Sequence, residues 1–301
     1  MILEDKKEFF RLHAGLRLHL SHFHDNVSAV HNFHSCHPVN RLLYIREYAG
    51  NSAYIYDYRA DRKFLMREHR LYFYPCFREI DIFQERNLAY RSIHFNLELF
   101  GGGDLFAGSP VRELSGTMAE AVAELPADPW SVRDCCRFNA VLNELIAGLL
   151  EGGEESSRNP MLKNARYREL LDYVNEYLSA ELTVEELASF MNMGREIFSR
   201  KFRADFGVAP KEFLTRMLLR RASDLLLTPN IRVKEVAARL KFRNEFYFSR
   251  FFRKHTNIPP GEYRRFYREN RRKLYRSLIP RFRRRKALWF RCKARFSHCR
   301  S

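Results

Sequence analysis

The sequence predicts an α+β fold: a β-rich N-terminal barrel, a helical linker and an all-α C-terminal domain. Three observations predict it. Between residues 41 and 97, short runs rich in β-branched and aromatic residues alternate with polar turn segments. From residue 111 onward, apolar residues recur at three- and four-residue spacing, the period of an amphipathic helix. A repeat at 50 residues places IFSRKFRADFGVAPKEF, residues 197 to 213, over YFSRFFRKHTNIPPGEY, residues 247 to 263. A chain of 301 residues that is 46% hydrophobic has enough apolar surface for two cores.

The expected strands are RLLYIRE, SAYIYDY, LYFYPC, EIDIFQ and YRSIHFNL, with AGN and RADRK among the turns. They should form an antiparallel sheet that closes as a barrel. In the last run Ile93, Phe95 and Leu97 alternate with Ser92, His94 and Asn96, so one face is apolar and the other polar, and one of them must line the interior. Tyr44, Tyr54, Tyr56 and Tyr58 are read as sheet packing.

After GGGD at 101 to 104 the texture turns helical. VRELSGTMAEAVAEL is followed by a DPW break at 128 to 130 and then by SVRDCCRFNAVLNELIAGLLEGG. The Gly, Ser and Pro content of GGEESSRNP, residues 152 to 160, marks a connector and the domain boundary. The domains are therefore drawn at 1–105, 106–159 and 160–270, with a tail at 271–301. Cysteines at 36, 76, 135, 136, 292 and 299 form no CxxC pair and are read as reduced. MILEDKKEFF lacks the apolar core of a signal peptide, and no run approaches the roughly 20 apolar residues of a membrane span. A cytoplasmic protein with no membrane partner is expected.

Of the net charge of +17, most sits in the tail, where residues 271 to 301 hold 13 Lys and Arg and no acid. Residues 160 to 270 carry 22 basic and 14 acidic groups, net +8, which leaves residues 1 to 159 at −4. A basic half joined to a mildly acidic one suits a nucleic-acid module attached to something else, because Lys and Arg neutralise phosphates and release counterions. The tail contains RFRRRKALWFRCKARF and is read as disordered; added nonspecific DNA affinity or contact with a membrane surface are its alternatives.

Each repeat unit, about 183–204 and 232–254, runs as amphipathic helix, short turn, second helix. In the first, Leu187, Ala188 and Met191 face inward and Asn192 to Arg195 turn, with Ile197, Phe198 and Phe202 as the buried stripe. In the second the matching residues are Val236, Ala237 and Leu240, then Lys241 to Asn244, then Tyr247, Phe248 and Phe252. The outward faces then hold Arg195, Glu196, Ser199, Arg200 and Arg203 in unit one. In unit two they hold Asn244, Glu245, Phe246, Ser249, Arg250 and Arg253. Residues near the start of a recognition helix reach base edges and later cations hold phosphates, which makes Arg200 and Arg250 the leading candidates for DNA contact.

The second unit, VKEVAARLKFRNEFYFSRFFRKHTNIPPGEYRR, closely resembles the signature of AraC/XylS-type bacterial transcription regulators, and the resemblance covers residues 165 to 268. It implies two recognition helices in successive major-groove segments of double-stranded DNA, joined by a long helix over Pro210 to Leu227. It also implies a glycine where Lys241 stands, with Asn192 at the corresponding turn position of unit one. In such regulators an N-terminal cupin-like domain often binds a small effector, frequently a sugar, and helices after it, here 111 to 150, form a homodimer. An activator, with RNA polymerase as partner, is implied more than a repressor.

Seven of the 11 histidines fall between His13 and His37. Metal-binding cupins pair an HxH with a glutamate a few residues on, and after His24 the first glutamate is Glu47, so no metal and no cofactor are expected. His24, Arg41, His94 and Asn96 are the candidate effector-binding residues; the last three, on or beside expected strands, either hydrogen-bond a sugar hydroxyl from inside the barrel or form an exposed polar strand face. No enzyme activity is expected. The rival readings are a cupin-type metal enzyme fused to a DNA-binding module, and an effector-free DNA-architectural protein driven by the tail.

Overall fold

The computed structural model describes residues 13–27, 30–85, 88–99, 103–114, 116–126, 131–151, 167–265 and 267. The DPW break, the 152–160 connector and the basic tail lie outside the described residues.

Among the described residues, nine antiparallel strands form two sheets. One has the order β1 (Leu16–Val27), β8 (Ala89–Leu99), β3 (Asn40–Glu47), β6 (Leu71–Tyr74), β9 (Arg112–Leu114). The other runs β2 (Val30–Cys36), β7 (Glu79–Gln84), β4 (Tyr54–Asp57), β5 (Arg62–Leu65). Leu43, Ile45, Tyr72 and Tyr74 of the first sheet meet Ile55, Phe64, Ile80 and Ile82 of the second in one buried core, so the expected barrel takes the form of two facing sheets. Inside it, the Asp57 carboxylate accepts from Arg78 Nε and Nη2, both at 2.7 Å, in a pair nearly closed to water.

Every residue of β8 is buried, on both faces. Its apolar face, Ile93, Phe95 and Leu97, packs against Val122 of α1 (Thr117–Ala123) and against Phe138, Leu142, Leu145, Ile146 and Leu149 of α2 (Val132–Glu151). The polar face therefore turns inward, where Ser92 lies opposite Leu43 and His94 opposite Arg41. Arg91 ties this arrangement together: it makes two bonds to the Asp25 carboxylate, at 2.7 and 2.9 Å, and donates to the Val122 and Leu125 carbonyls at the end of α1.

Four strands depart from the sequence reading. β1 and β2 fall in the histidine-rich segment, where a bulge between Leu20 and His22 breaks the period, so that Leu18 and Phe23, of opposite parity, pack on the same core. β5 begins at Arg62, inside the segment read as a turn, and is half charged. Residues 112–114, read as helical, are a short edge strand on β6 and place the last strand past residue 105.

The described residues of the C-terminal region are all helical or turn: α3 (Arg168–Tyr177), α4 (Val184–Phe190), α5 (Arg195–Phe206), α6 (Pro210–Leu227), α7 (Val233–Arg239), α8 (Glu245–Thr256) and a last described helix from residue 260. Pro210 starts α6, where its fixed φ suits the first turn and no N–H is missed. α6 serves two cores. Phe213, Leu214 and Met217 join Leu187, Ala188, Phe198 and Phe202, while Leu218, Leu219, Ala222 and Leu226 join Val236, Ala237, Phe248 and Phe252. Ile197 and Tyr247, read as part of the buried stripe, are exposed. Each sits 100° round the helix from the Phe that follows it, beyond the reach of the α6 side. No helix of the described residues is long and apolar enough to cross a membrane.

Truncating Asp57 to Ala strands the Arg78 guanidinium in a dry core, so Asp57→Ala should lower unfolding free energy by about 3–5 kcal/mol. Urea denaturation checks this, and a loss under about 1 kcal/mol would show that the pair is dispensable.

Candidate functional site

The two helical units are built alike down to their backbone. At the end of α4, Asn192 N–H bonds to Ser189 O and Met193 N–H to Ala188 O; at the end of α7, Lys241 N–H bonds to Ala238 O and Phe242 N–H to Ala237 O. This is a Schellman closure, which requires a left-handed residue, and Asn192 (φ 52°) and Lys241 (φ 54°) supply it. The second helices end alike too, at Gly207 (φ 71°) and Asn257 (φ 60°), whose amides reach Arg203 O and Arg253 O. Thr183 and Glu186 form a full capping box on α4; at α7 Arg232 replaces the threonine, and Glu235 still accepts from its backbone N–H.

With Phe198 and Phe202 buried, Arg195, Glu196, Arg200 and Arg203 of α5 are exposed and Ser199 is half-buried at the foot of the same face. Arg195 is held at 2.9 Å from Glu185, across the turn. On α8, Asn244, Phe246, Arg250 and Arg253 are exposed and Glu245 and Ser249 half-buried. The Asn244 side chain accepts from Tyr247 N–H at 2.8 Å and so caps the helix, which leaves its amide N–H₂ free to reach outward. Arg250 lies 5.9 Å from the Tyr247 ring centroid, and Phe246 is 72% exposed, two large aromatics on the solvent side of a helix start. Solvation costs are against such a placement unless a partner covers it.

The second cluster lies at the mouth of the β domain, beneath the last helix. His24, Arg41 and His94 come together there; Asn96 does not. Its amide donates to Pro38 O and to Asp104 Oδ2, in a knot where Asp104 also accepts from Asn40, Leu97 N–H and Phe106 N–H. The His22 ring is 4.6 Å from that of His24 and 5.4 Å from that of His94. Tyr267, from the end of the helical domain, closes the cluster: its hydroxyl is 3.0 Å from His94 Nδ1 and its ring 5.2 Å from His22. His94 Nε2 meets Ser92 Oγ at 2.8 Å. Burial first, then the neighbouring His22 and Arg41, hold His94 well below the usual histidine range; burial and Arg41 do the same to His37. Burial pushes Tyr74 up to about 12. Sequence reasoning missed His22, His37 and Tyr267 as members of this cluster. The available signal was the four-residue spacing of Tyr263 and Tyr267 on the last helix.

Further contacts join the two parts of the chain. Arg220 of α6 pairs with Glu98 of β8, Asn257 after α8 donates to His34 O, and Arg216 lies 5.4 Å from the Phe77 ring.

Two helix-turn-helix units on a shared long helix, each presenting a cationic second helix to solvent, define a double-headed DNA-binding module. The comparisons with known proteins agree. A helix-turn-helix domain family matches residues 187–265. The lactose operon transcription activator of Staphylococcus xylosus is 28% identical over 107 residues, 36% of this chain and 38% of that protein. The transcriptional activator RhaS of Salmonella schwarzengrund is 25% identical over 154 residues, 51% of this chain and 53% of that protein. The C-terminal domain is thus an AraC-type helix-turn-helix domain; the chain spans about a third to a half of the length of the curated relatives it matches. ToxT from Vibrio cholerae O395 shares the fold of both parts, with TM-score 0.55 at 11% identity over 84% of this chain and 98% of that one.

Two predictions follow from the geometry. Lys241 carries a Cβ in a left-handed turn, so Lys241→Gly should raise stability by about 1 kcal/mol, and Asn192→Gly by less, since Asn tolerates that region. Chemical denaturation of the two variants orders them. His37 and His94 bind protons more weakly folded than unfolded, so stability is fully present above pH ~6.5 and falls as pH drops below it. Melting curves from pH 7.5 to 5 should show that slope, and His94→Gln should flatten it.

Proposed function

We propose that the chain is a sequence-specific, effector-responsive transcription regulator of the cytoplasm. Its residues 160–270 read two segments of double-stranded DNA through Arg195, Glu196, Ser199, Arg200 and Arg203 on α5 and through Asn244, Glu245, Phe246, Ser249, Arg250 and Arg253 on α8. The observation that carries this reading is the duplicated outward face: two helices in equivalent frames, each with an exposed Arg at the same position, 200 and 250, above a buried Phe pair. Residues 1–105, extended by β9, act as the sensor. Residues 106–159 act as the linker and homodimer helix, for which the solvent side of α2, with Val132, Cys135 and Cys136 exposed, supplies the surface. As an activator it would work with RNA polymerase. A small-molecule effector site at the β-domain mouth is supported by three of the four candidate residues, His24, Arg41 and His94, converging there under a residue of the DNA-binding domain. A ToxT structure, from strain SCE256, has an unsaturated fatty acid bound; several relatives are named for sugar operons.

Selection of bound sequences from random duplex DNA with the full chain should recover two short motifs about one helical turn apart. Against that operator, Arg200→Ala and Arg250→Ala should each cost about 1–3 kcal/mol in binding. Unchanged affinity in both variants would remove α5 and α8 from the interface, and recovery of no motif would favour an architectural protein.

A further inference from the structure

Among the described residues, the β-domain mouth contains a cation with no ion-pair partner. Arg41, on the inner face of β3, is 4% exposed, and its Nε has no hydrogen-bond partner. Its one described contact is a cation–π approach to the Tyr74 ring at 4.3 Å. Among the described residues no carboxylate forms an ion pair with Arg41, and the nearby Glu79 faces His34 at 3.8 Å. The buried acids are committed elsewhere: Asp57 to Arg78, Glu98 to Arg220, and Asp104 to two asparagines and two backbone amides. His37, also 4% exposed, has neither ring nitrogen hydrogen-bonded. A guanidinium taken out of water without a partner is costly, and the fork of N–H groups on arginine matches two oxygens of one acceptor. The imidazole of His37 adds a third donor. Tyr263, 6.3 Å from His37 by ring centroids, and Tyr267 form an aromatic roof from the DNA-binding domain.

We propose that this mouth is a binding site for a small oxyanion, a carboxylate or phosphate group, held by Arg41 and His37 beneath Tyr263 and Tyr267. The proposal rests on the effector reading above and names the chemistry of its ligand. The anion supplies the missing counter-charge, so its binding also strengthens the docking of the last helix on the β domain.

The test is thermal unfolding of the full chain with acetate, benzoate or inorganic phosphate, against acetamide, benzamide, lactose and chloride at matched ionic strength. At least one oxyanion should raise the wild-type midpoint by several degrees where the uncharged counterparts do not. Arg41→Met should abolish that response while its own midpoint, without anion, stays at or above the wild type, because a buried charge has been removed. His37→Gln should raise the half-saturating concentration about tenfold, the effect of one lost charge-assisted bond, and it decides the matter if Arg41→Met does not fold. No oxyanion-specific shift in the wild type, or an undiminished one in the variants, overturns the proposal. Operator affinity measured in the same solutions separates it from the effector reading. An oxyanion that shifts melting without changing DNA binding keeps the site and sinks the effector role; lactose altering DNA binding with no oxyanion response does the reverse.

Discussion

Strand β8 is buried along its whole length on both faces, and most of the molecule is arranged to make that possible. A strand with Ile93, Phe95 and Leu97 on one side and Ser92, His94 and Asn96 on the other has only one face that gains by leaving water. The helices at 117–151 take that face. The polar face must then find partners, since an unpaired buried polar group costs about 1–3 kcal/mol. Each residue meets the requirement differently. Asn96 joins the Asp104 knot, where burial pushes the carboxyl up and four hydrogen-bonding neighbours pull it back toward the charged form. His94 takes one partner from its own strand and the other from Tyr267, 173 residues away. The inner polar face is thus closed by a residue of the helical domain.

The helical domain is organised by economy of a different kind. One 18-residue helix, α6, spends its first half on the core of unit one and its second on the core of unit two. Neither unit could bury a Phe pair against its own short first helix alone, since seven residues give two turns and little apolar area. Sharing α6 also fixes the units relative to each other, which two reading heads on one duplex require. The outward residues are spared all packing duties, so Arg200 and Arg250 can differ in what they contact without disturbing the fold.

Legibility followed the physics of each segment. The central strands were readable because they are continuous apolar runs or clean alternations, and the two helical units because a repeat at fixed spacing is hard to produce by chance. β1 and β2 were obscured by histidines and bulges, and β9 by its three-residue length. The left-handed turn at Asn192 and Lys241 was legible only through the family resemblance, which puts a glycine at that position. The outward placement of Tyr247 was not, because an aromatic at that position looks like core until the width of the buried stripe is known. Of the effector candidates, the convergence of His24, Arg41 and His94 has a sequence signal only in β-strand parity, and Tyr267 only in its four-residue spacing from Tyr263, since the contact is between distant parts of the chain.

The described contacts between the two parts fall unevenly. Glu98 meets Arg220, His34 meets Asn257, Phe77 packs among the residues of the second core and meets Arg216, and His94 meets Tyr267. All of these partners belong to α6, to the end of α8 or to the last helix. Among the described residues the first unit's core has no buried member from the β domain, although Gly103 lies beside Phe213. On the proposed reading, a ligand at the β-domain mouth acts on DNA binding only through its differential affinity for the docked and undocked arrangements of the helical domain. That coupling is reciprocal: DNA that favours one arrangement must change the affinity of the mouth for its ligand by the same factor.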